Sequence, residues 1–224
     1  MTFAKAAMDV GLMTHQKLPQ LAFWQEQIGL ELQEMLPVGG GVQQHRHGIG
    51  DTVFKLNHHR DPIEAGAPSG IRQLTIAREG VDAPHHLTDP DGNPVSLVPP
   101  GQDGIQQIQV EVEVSDIERS HRFYTEALGF EPLADDVVAC GVSQIRLVPG
   151  RRSQDPDQRG IGYRYLTVQI FDVLKAHAFA LANGGREGRA PIRLGDVAHF
   201  SFVLDPDGTW IELSQRKSIV GTLD

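Results

Sequence analysis

The sequence contains a single cysteine, Cys140, among 224 residues, so it offers no internal disulfide and no CxxC zinc motif. It has no apolar run near the roughly 20 residues that span a bilayer, and its first residues lack the apolar centre of a signal peptide. Positive charge is scarce, because 20 Lys and Arg stand against 29 Asp and Glu, a formal net charge of −9. An acidic surface repels phosphates, so we predict no nucleic-acid partner. Because the sequence shows neither a membrane span nor a signal peptide, we expect a cytoplasmic protein with no membrane partner.

The sequence nearly repeats itself. The segment "TDPDGNPVSLV" at 88–98 matches "LDPDGTWIELS" at 204–214, and the two lie 116 residues apart. The segment "WQEQIGLEL" at 24–32 matches "YTEALGFEP" at 124–132, and these lie 100 residues apart. The second half is therefore longer between these marks by about one helix and a turn.

The repeat and the linker composition predict two domains. Residues 97–104 are rich in Pro and Gly, as linkers often are, and they separate predicted domains at 1–100 and 105–216. The segment "EGVDAPHHLT" at 79–88 stands where the first half would have its second helix. It contains Gly and Pro, so we expect an irregular segment there.

Local patterns define the repeating unit. The stretch "IQVEVEV" at 108–114 alternates apolar and polar residues, which is the period of a strand. The next residues predict a helix whose capping box is Ser115 and Glu118. The pattern restarts with a strand at "RYLTVQIF", after which Asp172 can cap another helix.

Each complete unit is a strand, a helix and about three strands, which predicts an α+β fold. We expect residues 107–149 and 163–214 each to form such a βαβββ unit. We also expect these two units to form a single curled sheet. The first half repeats the pattern with fewer helices.

These features resemble those of the vicinal oxygen chelate superfamily, which includes glyoxalase I, extradiol ring-cleaving dioxygenases, methylmalonyl-CoA epimerase and bleomycin-resistance proteins. The resemblance is carried by the four units, by "VSDIERSHRFYTEALGF" and by "DPDGTWIELS", and it covers nearly the whole chain. It implies two tandem domains of βαβββ units, the first of them helix-poor, curled around clefts. It also implies metal ligands from the first and last strands of each unit.

The ligand positions that the resemblance implies are poorly matched. In the second half they fall on Gln109, Arg146, Tyr165 and Glu212, of which only Gln109 and Glu212 carry a usual ligand type. In the first half they fall on Asp9, Lys55, Gln73 and Ser96. A Lys or Arg cation repels a divalent ion and has no free lone pair, so we predict no metal cofactor. If a divalent ion is present, we expect it near Gln109 and Glu212. Each half pairs a carboxylate with a base, and a side-chain cation is one candidate for the metal's place.

Strand alternation places the polar side chains of the second half on the face that lines the cleft. The catalytic candidates are Glu212, Arg146, Tyr165 and Glu111. The ligand-binding candidates are Gln109, Glu113, Gln144, Thr167 and Trp210. We expect Arg146 to form a salt bridge with Glu212 or Glu111 across the cleft, either as part of a site or as a structural pair.

The ten histidines do not occupy the implied ligand positions. His45 and His47 share one strand face, but the expectation for these residues is an ordinary surface or loop location.

Three classes of function remain open at this point. The first is an enzyme of the dioxygenase, lyase or isomerase kind that acts on a small oxygenated or aromatic molecule. The second is a metal-free protein that binds or sequesters a small molecule, similar to the bleomycin-resistance type, and an acidic pocket with Trp210 would favour a cationic aromatic ligand. The third is a degenerate member that serves as a subunit contact, and a homodimer is left open.

Overall fold

The computed structural model describes residues 1–150 and 158–223, and the first half contains two strand-rich units. The elements of the first unit are β1 (Phe3–Thr14), α1 (Lys17–Leu21) with a π-helical extension (Ala22–Gln27), β2 (Glu31–Gly39), β3 (Val42–Ile49) and β4 (Thr52–His59). The elements of the second unit are β5 (Ile71–Ala77), β6 (His85–Thr88), β7 (Pro94–Val98) and a short 3-10 turn (Gln102–Gly104). Residues 79–88 contain no helix, as predicted, although their last four residues form a strand.

The second half contains two complete units. The elements of the third unit are β8 (Ile108–Val114), α2 (Ile117–Arg122) with a π-helical extension (Phe123–Ala127), β9 (Glu131–Ala134), β10 (Val137–Cys140) and β11 (Ser143–Pro149). The elements of the fourth unit are β12 (Gly162–Ile170), α3 (Val173–Ala182), β13 (Arg186–Leu194), β14 (Ala198–Leu204), β15 (Trp210–Arg216) and the terminal α4 (Lys217–Val220). The predicted α+β fold with tandem βαβββ units and a helix-poor first half is confirmed.

The units pair crosswise. The first and fourth units form an eight-stranded sheet in the order β13-β14-β15-β12-β1-β4-β3-β2, and the second and third form a seven-stranded sheet in the order β6-β7-β5-β8-β11-β10-β9. The prediction that residues 107–149 and 163–214 share one sheet is therefore wrong. A repeat shows that units are alike, but like units can pair with several neighbours. Tertiary packing therefore determines which units share a sheet. The boundary near residue 100 stays a prediction, and both sheets contain strands from either side of it.

One apolar core joins the two sheets. It takes Val110 and Val112 from β8, Val10 from β1, and Leu166 and Val168 from β12, and all of them are nearly inaccessible to water. Burying one such side chain contributes roughly 1.5–3 kcal/mol to stability. Because strand side chains alternate, the polar faces of the two sheets point away from this shared core in opposite directions.

Helices α2 and α3 of the second half begin at aspartates. Asp116 is the N-cap of α2, and its side chain accepts a hydrogen bond of 3.0 Å from the Arg119 amide. The predicted cap at Ser115 is wrong, because the Ser115 hydroxyl donates instead to Asp207 at 2.6 Å. Asp172 caps α3 as predicted. No helix in the described ranges has the length and apolar character of a membrane span.

Candidate functional site

A cavity of about 450 Å³ opens on the polar side of the eight-stranded sheet. The central strands β4, β12 and β15 contribute to its floor, and β2 and β13, the two edge strands, contribute to its walls. Opposite edges of one sheet can line one cavity because the sheet is curled. The volume lies within the range of roughly 300–1,000 Å³ that small-molecule sites occupy.

Lys55 lies at the centre of the floor. Its Nζ donates to Thr167 Oγ1 at 2.7 Å and to Glu212 Oε2 at 2.9 Å, and it lies 3.9 Å from Asp9 Oδ2. Thr167 donates its own hydroxyl to the same Glu212 oxygen at 2.7 Å. The Lys55 side chain is only 4% exposed, so these charge interactions are stronger than they would be in water. Glu212 Oε1 has no hydrogen-bond partner within the described ranges, and Glu212 lines the cavity.

Strand register explains why these four side chains meet. Asp9 on β1 pairs with Thr167 on β12, and Thr167 pairs with Glu212 on β15. Lys55 lies on β4, which is the neighbour of β1 on its other side. The resemblance assigned Tyr165 to this set, but the register brings Thr167 into contact with Lys55 and Glu212.

Tyr165 contributes a neutral phenol to the floor. Its hydroxyl accepts hydrogen bonds from Asn57 Nδ2 at 3.1 Å and Gln44 Nε2 at 3.4 Å, and Lys55 Nζ lies 5.5 Å from its ring centroid. Burial, with the nearby Glu212 carboxylate, raises the pKa of Tyr165 far above its ordinary value. Tyr165 therefore remains protonated and acts as a hydrogen-bonding group rather than a base.

The residues of the floor do not fit a divalent metal ion. The oxygen donors Asp9, Thr167 and Glu212 surround the Lys55 ammonium, which repels a second cation and donates to two of them. Asp9 is also bound by Lys5 Nζ at 2.8 Å and by the Val53 amide at 3.0 Å. Within the described part of the chain, no group of three His, Cys, Asp or Glu side chains could hold a metal.

The walls of the cavity are rich in arginine. Among residues 1–150 and 158–223, five cationic side chains and one carboxylate line the cavity: Arg46, Lys55, Arg159, Arg189, Arg216 and Glu212. The prediction of an acidic pocket is therefore wrong, because Glu111 and Glu113 lie on the other sheet. Apolar side chains complete the walls, and they include Met13, Phe200, Phe202 and Leu194.

Five of the nine candidate residues lie on the seven-stranded sheet. Gln109 donates to Gln144 at 2.9 Å, and Gln144 donates to the Gly104 carbonyl at 3.0 Å. Glu113 forms an ion pair with Arg72. Glu111 lies beside Arg146 in the strand register.

The predicted salt bridge of Arg146 is wrong. Arg146 is half-exposed, and its Nε lies 3.4 Å from Asp136, which is the one carboxylate within salt-bridge distance among the described residues. Glu212 is bound by Lys55 instead. Gln109 and Glu212 lie on opposite-facing sheets, so the structure does not bring together the pair near which a metal was expected.

The remaining four candidates lie on the eight-stranded sheet. Tyr165 and Glu212 line the cavity, and Thr167 lies just beneath its surface. Trp210 packs edge-to-face on Phe202 with 5.7 Å between ring centroids, within a small apolar cluster beside the floor.

Several cavity residues escaped prediction from the sequence. Gln44 and Arg46 alternate with His45 and His47 on β3, so the period-2 pattern could have placed the first two in the cavity. The two histidines face the other side and are buried, which contradicts the expected surface or loop location. The edge strands β2 and β13 were missed, and with them the cavity residue Arg189 and Glu34, which forms ion pairs with two cavity arginines.

Comparisons with known proteins agree with this architecture. Residues 105–213 match the model of the Glyoxalase/Bleomycin resistance protein/Dioxygenase superfamily. No curated protein matches the sequence significantly.

Similar solved structures extend the likeness to the whole chain. Glyoxalase I from Zea mays has a TM-score of 0.77 at 19% identity, covering 95% of this chain and 93% of that one. A putative dioxygenase from Bacillus subtilis has a TM-score of 0.69 at 12% identity, covering 96% and 86%. The cppA protein from Streptococcus pneumoniae has a TM-score of 0.58 at 10% identity, covering 93% and 98%. At these identities the likeness establishes the fold alone.

Proposed function

Because residues 105–213 match the model of the Glyoxalase/Bleomycin resistance protein/Dioxygenase superfamily, we propose that this protein acts on a small oxygenated molecule without a metal ion. The reaction site is the cavity of the eight-stranded sheet, to which both halves of the chain contribute. The observation that carries the proposal is the Lys55 ammonium, which lies among Asp9, Thr167 and Glu212. Asp9, Lys55 and Glu212 are three of the positions at which the resemblance implies metal ligands.

The arrangement suits proton transfer next to a carbonyl group. Glu212 Oε1 accepts a proton from the carbon beside the carbonyl, and the electron pair of that C–H bond moves to form an enolate. The negative charge then lies on the carbonyl oxygen, where the Lys55 ammonium stabilises it. Glu212 returns the proton to the enolate, so no oxidant, reductant or metal is required.

Binding without turnover is the second candidate function. This function is favoured by the observation that Glu212 and Asp9 already neutralise Lys55 within the protein. A purely structural ion pair is expected to show the same neutralisation. The open cavity supports both of these functions over a role limited to subunit contact.

Exchange of solvent deuterium into a carbonyl compound tests the proposal. Hydroxyacetone, 2-hydroxyacetophenone and levulinate are incubated with the protein in D₂O, and the loss of the proton signal next to the carbonyl is followed by NMR. We expect wild-type protein to accelerate exchange in at least one compound, and Glu212→Gln to lower that rate roughly 100-fold or more. Glu111→Gln is the matched control, because Glu111 lies on the other sheet.

Removal of the cation needs a variant that folds. Lys55→Met alone leaves the buried Asp9 and the partly buried Glu212 without their shared cation, at a cost of up to roughly 3–5 kcal/mol. Lys55→Met combined with Glu212→Gln removes one charge of each sign, and Asp9 keeps its Lys5 partner. Exchange in this folded double variant is compared with exchange in Glu212→Gln alone, and a further loss supports the role of Lys55. Unchanged exchange in Glu212→Gln overturns it, and binding of all three compounds without exchange favours the binding function.

A further inference from the structure

The charge of the cavity is opposite to that of the protein as a whole. The chain carries a formal net charge of −9, yet the lining residues that the structure describes include five cationic side chains and one carboxylate. Lys55 is balanced by Glu212 and Asp9 at the floor, and Arg46, Arg189 and Arg216 contribute further positive charge from the walls. A concave surface of one sign concentrates ligands of the opposite sign.

Two of these arginines share one carboxylate oxygen. Arg216 Nη2 lies 3.1 Å from Glu34 Oε2, and Arg46 Nε lies 3.6 Å from the same atom. The arginine side chains are only 18% and 10% exposed, whereas the Glu34 side chain is 44% exposed. The two cations are thus fixed in the wall, and the carboxylate that joins them comes from an exposed edge strand.

The surroundings of Arg46 favour an anionic partner. Burial, followed by the neighbouring Arg216 cation, lowers the pKa of Arg46. Its Nη1 donates to Gln44 Oε1 at 2.9 Å, which fixes the guanidinium on the cavity side of β3. A guanidinium stays charged in proteins. An anionic partner therefore stabilises the Arg46 cation more than it would stabilise an exposed arginine.

We propose that Arg46 and Arg216 form a clamp for the carboxylate group of the ligand, and that Glu34 occupies the clamp until the ligand displaces it. The clamp takes an organic acid with an apolar or aromatic body, because Phe200, Phe202 and Leu194 line the same cavity. This inference names the substrate class of the proposed site and rests on the proposed function.

Displacement follows from the geometry of Glu34. It engages the two arginines through one oxygen, and the Arg46 contact is longer than a hydrogen bond. A free carboxylate can use both oxygens and meet each guanidinium in its preferred planar arrangement. Release of Glu34 moves the side chain of an edge strand into solvent, which requires no rearrangement of the core.

Binding of three isosteric probes tests the charge requirement. Benzoate, benzamide and benzylamine differ at one substituent, and calorimetric titration measures each dissociation constant without any need for turnover. We expect benzoate to bind at least 10-fold more tightly than benzamide and benzylamine. Equal binding of benzoate and benzamide overturns the clamp, and preferential binding of benzylamine indicates a cation site instead.

Variants of the three clamp residues test the displacement. We expect Arg216→Gln to weaken benzoate at least 10-fold and to leave benzamide unchanged. Arg46→Lys, which keeps the charge but loses the planar fork, is expected to weaken benzoate as well. Glu34→Gln is expected to tighten benzoate several-fold, whereas Glu118→Gln, at an exposed carboxylate on α2, changes nothing. Weaker or unchanged benzoate binding in Glu34→Gln overturns the displacement.

The two proposals fail separately. Binding of benzoate that depends on Arg216, together with no deuterium exchange in any carbonyl compound, leaves the clamp standing and removes the enzymatic function. Exchange that depends on Glu212, together with equal binding of benzoate and benzamide, removes the clamp alone. Thermal melting of each variant shows that a loss of binding is not a loss of folding.

Discussion

At the scale of single residues, Lys55 determines what the floor of the cavity can hold. Its ammonium neutralises two carboxylates and excludes another cation from their midst. The same backbone positions with a carboxylate in place of the ammonium would present oxygen donors from three neighbouring side chains. Whether this cavity binds a metal is therefore decided largely by one side chain.

We predict that Lys55→Glu confers binding of a divalent ion. Without metal, the added carboxylate next to Asp9 and Glu212 lowers the melting temperature through repulsion of like charges. With Mn²⁺ or Mg²⁺, the oxygen donors are satisfied, and we expect the melting temperature to rise with metal concentration. Differential scanning calorimetry measures both shifts. Arg146→Glu is the control on the other sheet, and an equal metal response there contradicts the assignment.

A second residue-scale prediction concerns His47. Burial, reinforced by His45, lowers the pKa of His47 to about 4, so the folded protein holds this ring neutral. Between pH 4 and 6.5 the unfolded chain binds the proton that the folded chain does not. Stability therefore falls as the pH falls through this window, by about 3 kcal/mol for this residue.

Urea denaturation at several pH values measures this effect. We expect His47→Gln to be less sensitive to acid between pH 6.5 and 4 than the wild type. His85→Gln, at an exposed side chain, is the control. A wild-type pH profile in His47→Gln would assign the acid sensitivity to other groups.

At the scale of elements, the central strand pair of the eight-stranded sheet depends on a close approach. Gly11 on β1 pairs with Tyr165 on β12, and a side chain at Gly11 would overlap the tyrosine ring. The absence of a Cβ lets the ring lie across β1 beside Lys55. One glycine therefore sets the position of a cavity side chain in the neighbouring strand.

We predict that Gly11→Ala destabilises the fold by roughly 1–3 kcal/mol, because the added methyl group overlaps the Tyr165 ring and displaces it from its hydrogen bonds with Asn57 and Gln44. Combining Gly11→Ala with Tyr165→Leu relieves the overlap, so the double variant is expected to be more stable than additivity of the single variants predicts. Chemical denaturation of the four proteins completes this cycle. Additive effects would show that the glycine and the ring are not coupled.

The elements also show where sequence patterns are informative. The alternation at 108–114 predicted a buried strand correctly, because one face of β8 lies in the core. The edge strands β2 and β13 have mostly exposed residues on both faces, so no alternation marks them. For that reason the sequence could not place Arg189, which lines the cavity, or Glu34, which forms ion pairs with two of its arginines. Strands with one buried face were predictable, and strands with two exposed faces were not.

At the scale of the whole molecule, the crosswise pairing of the units determines where the sites form. The sequence repeat correctly indicated four units but not their partners, so it placed Arg146 and Glu212 in one cleft. In the structure these residues belong to different sheets. Pairing between distant segments depends on packing of the complete chain, which local periodicity does not record.

We predict that neither 1–100 nor 105–216 folds stably alone. Each fragment lacks half of both sheets and exposes the long edges of β1 or β12, which pair with each other in the complete chain. Far-UV circular dichroism and urea titration of each fragment should show weak or absent cooperative unfolding. Mixing the fragments is expected to restore a cooperative transition. An independently folded 105–216 fragment would support the domain boundary that the repeat suggests.

The crosswise pairing also has a consequence for the order of folding. Lys55 and Glu212 are separated in sequence by 157 residues, so the cavity closes only when the last strand reaches the first unit. Contacts between such distant segments slow folding, because loop closure precedes any gain from pairing. During synthesis on the ribosome, one edge of β1 stays unpaired until β12 has been made. Productive expression should therefore depend on chaperones that protect this edge until translation ends.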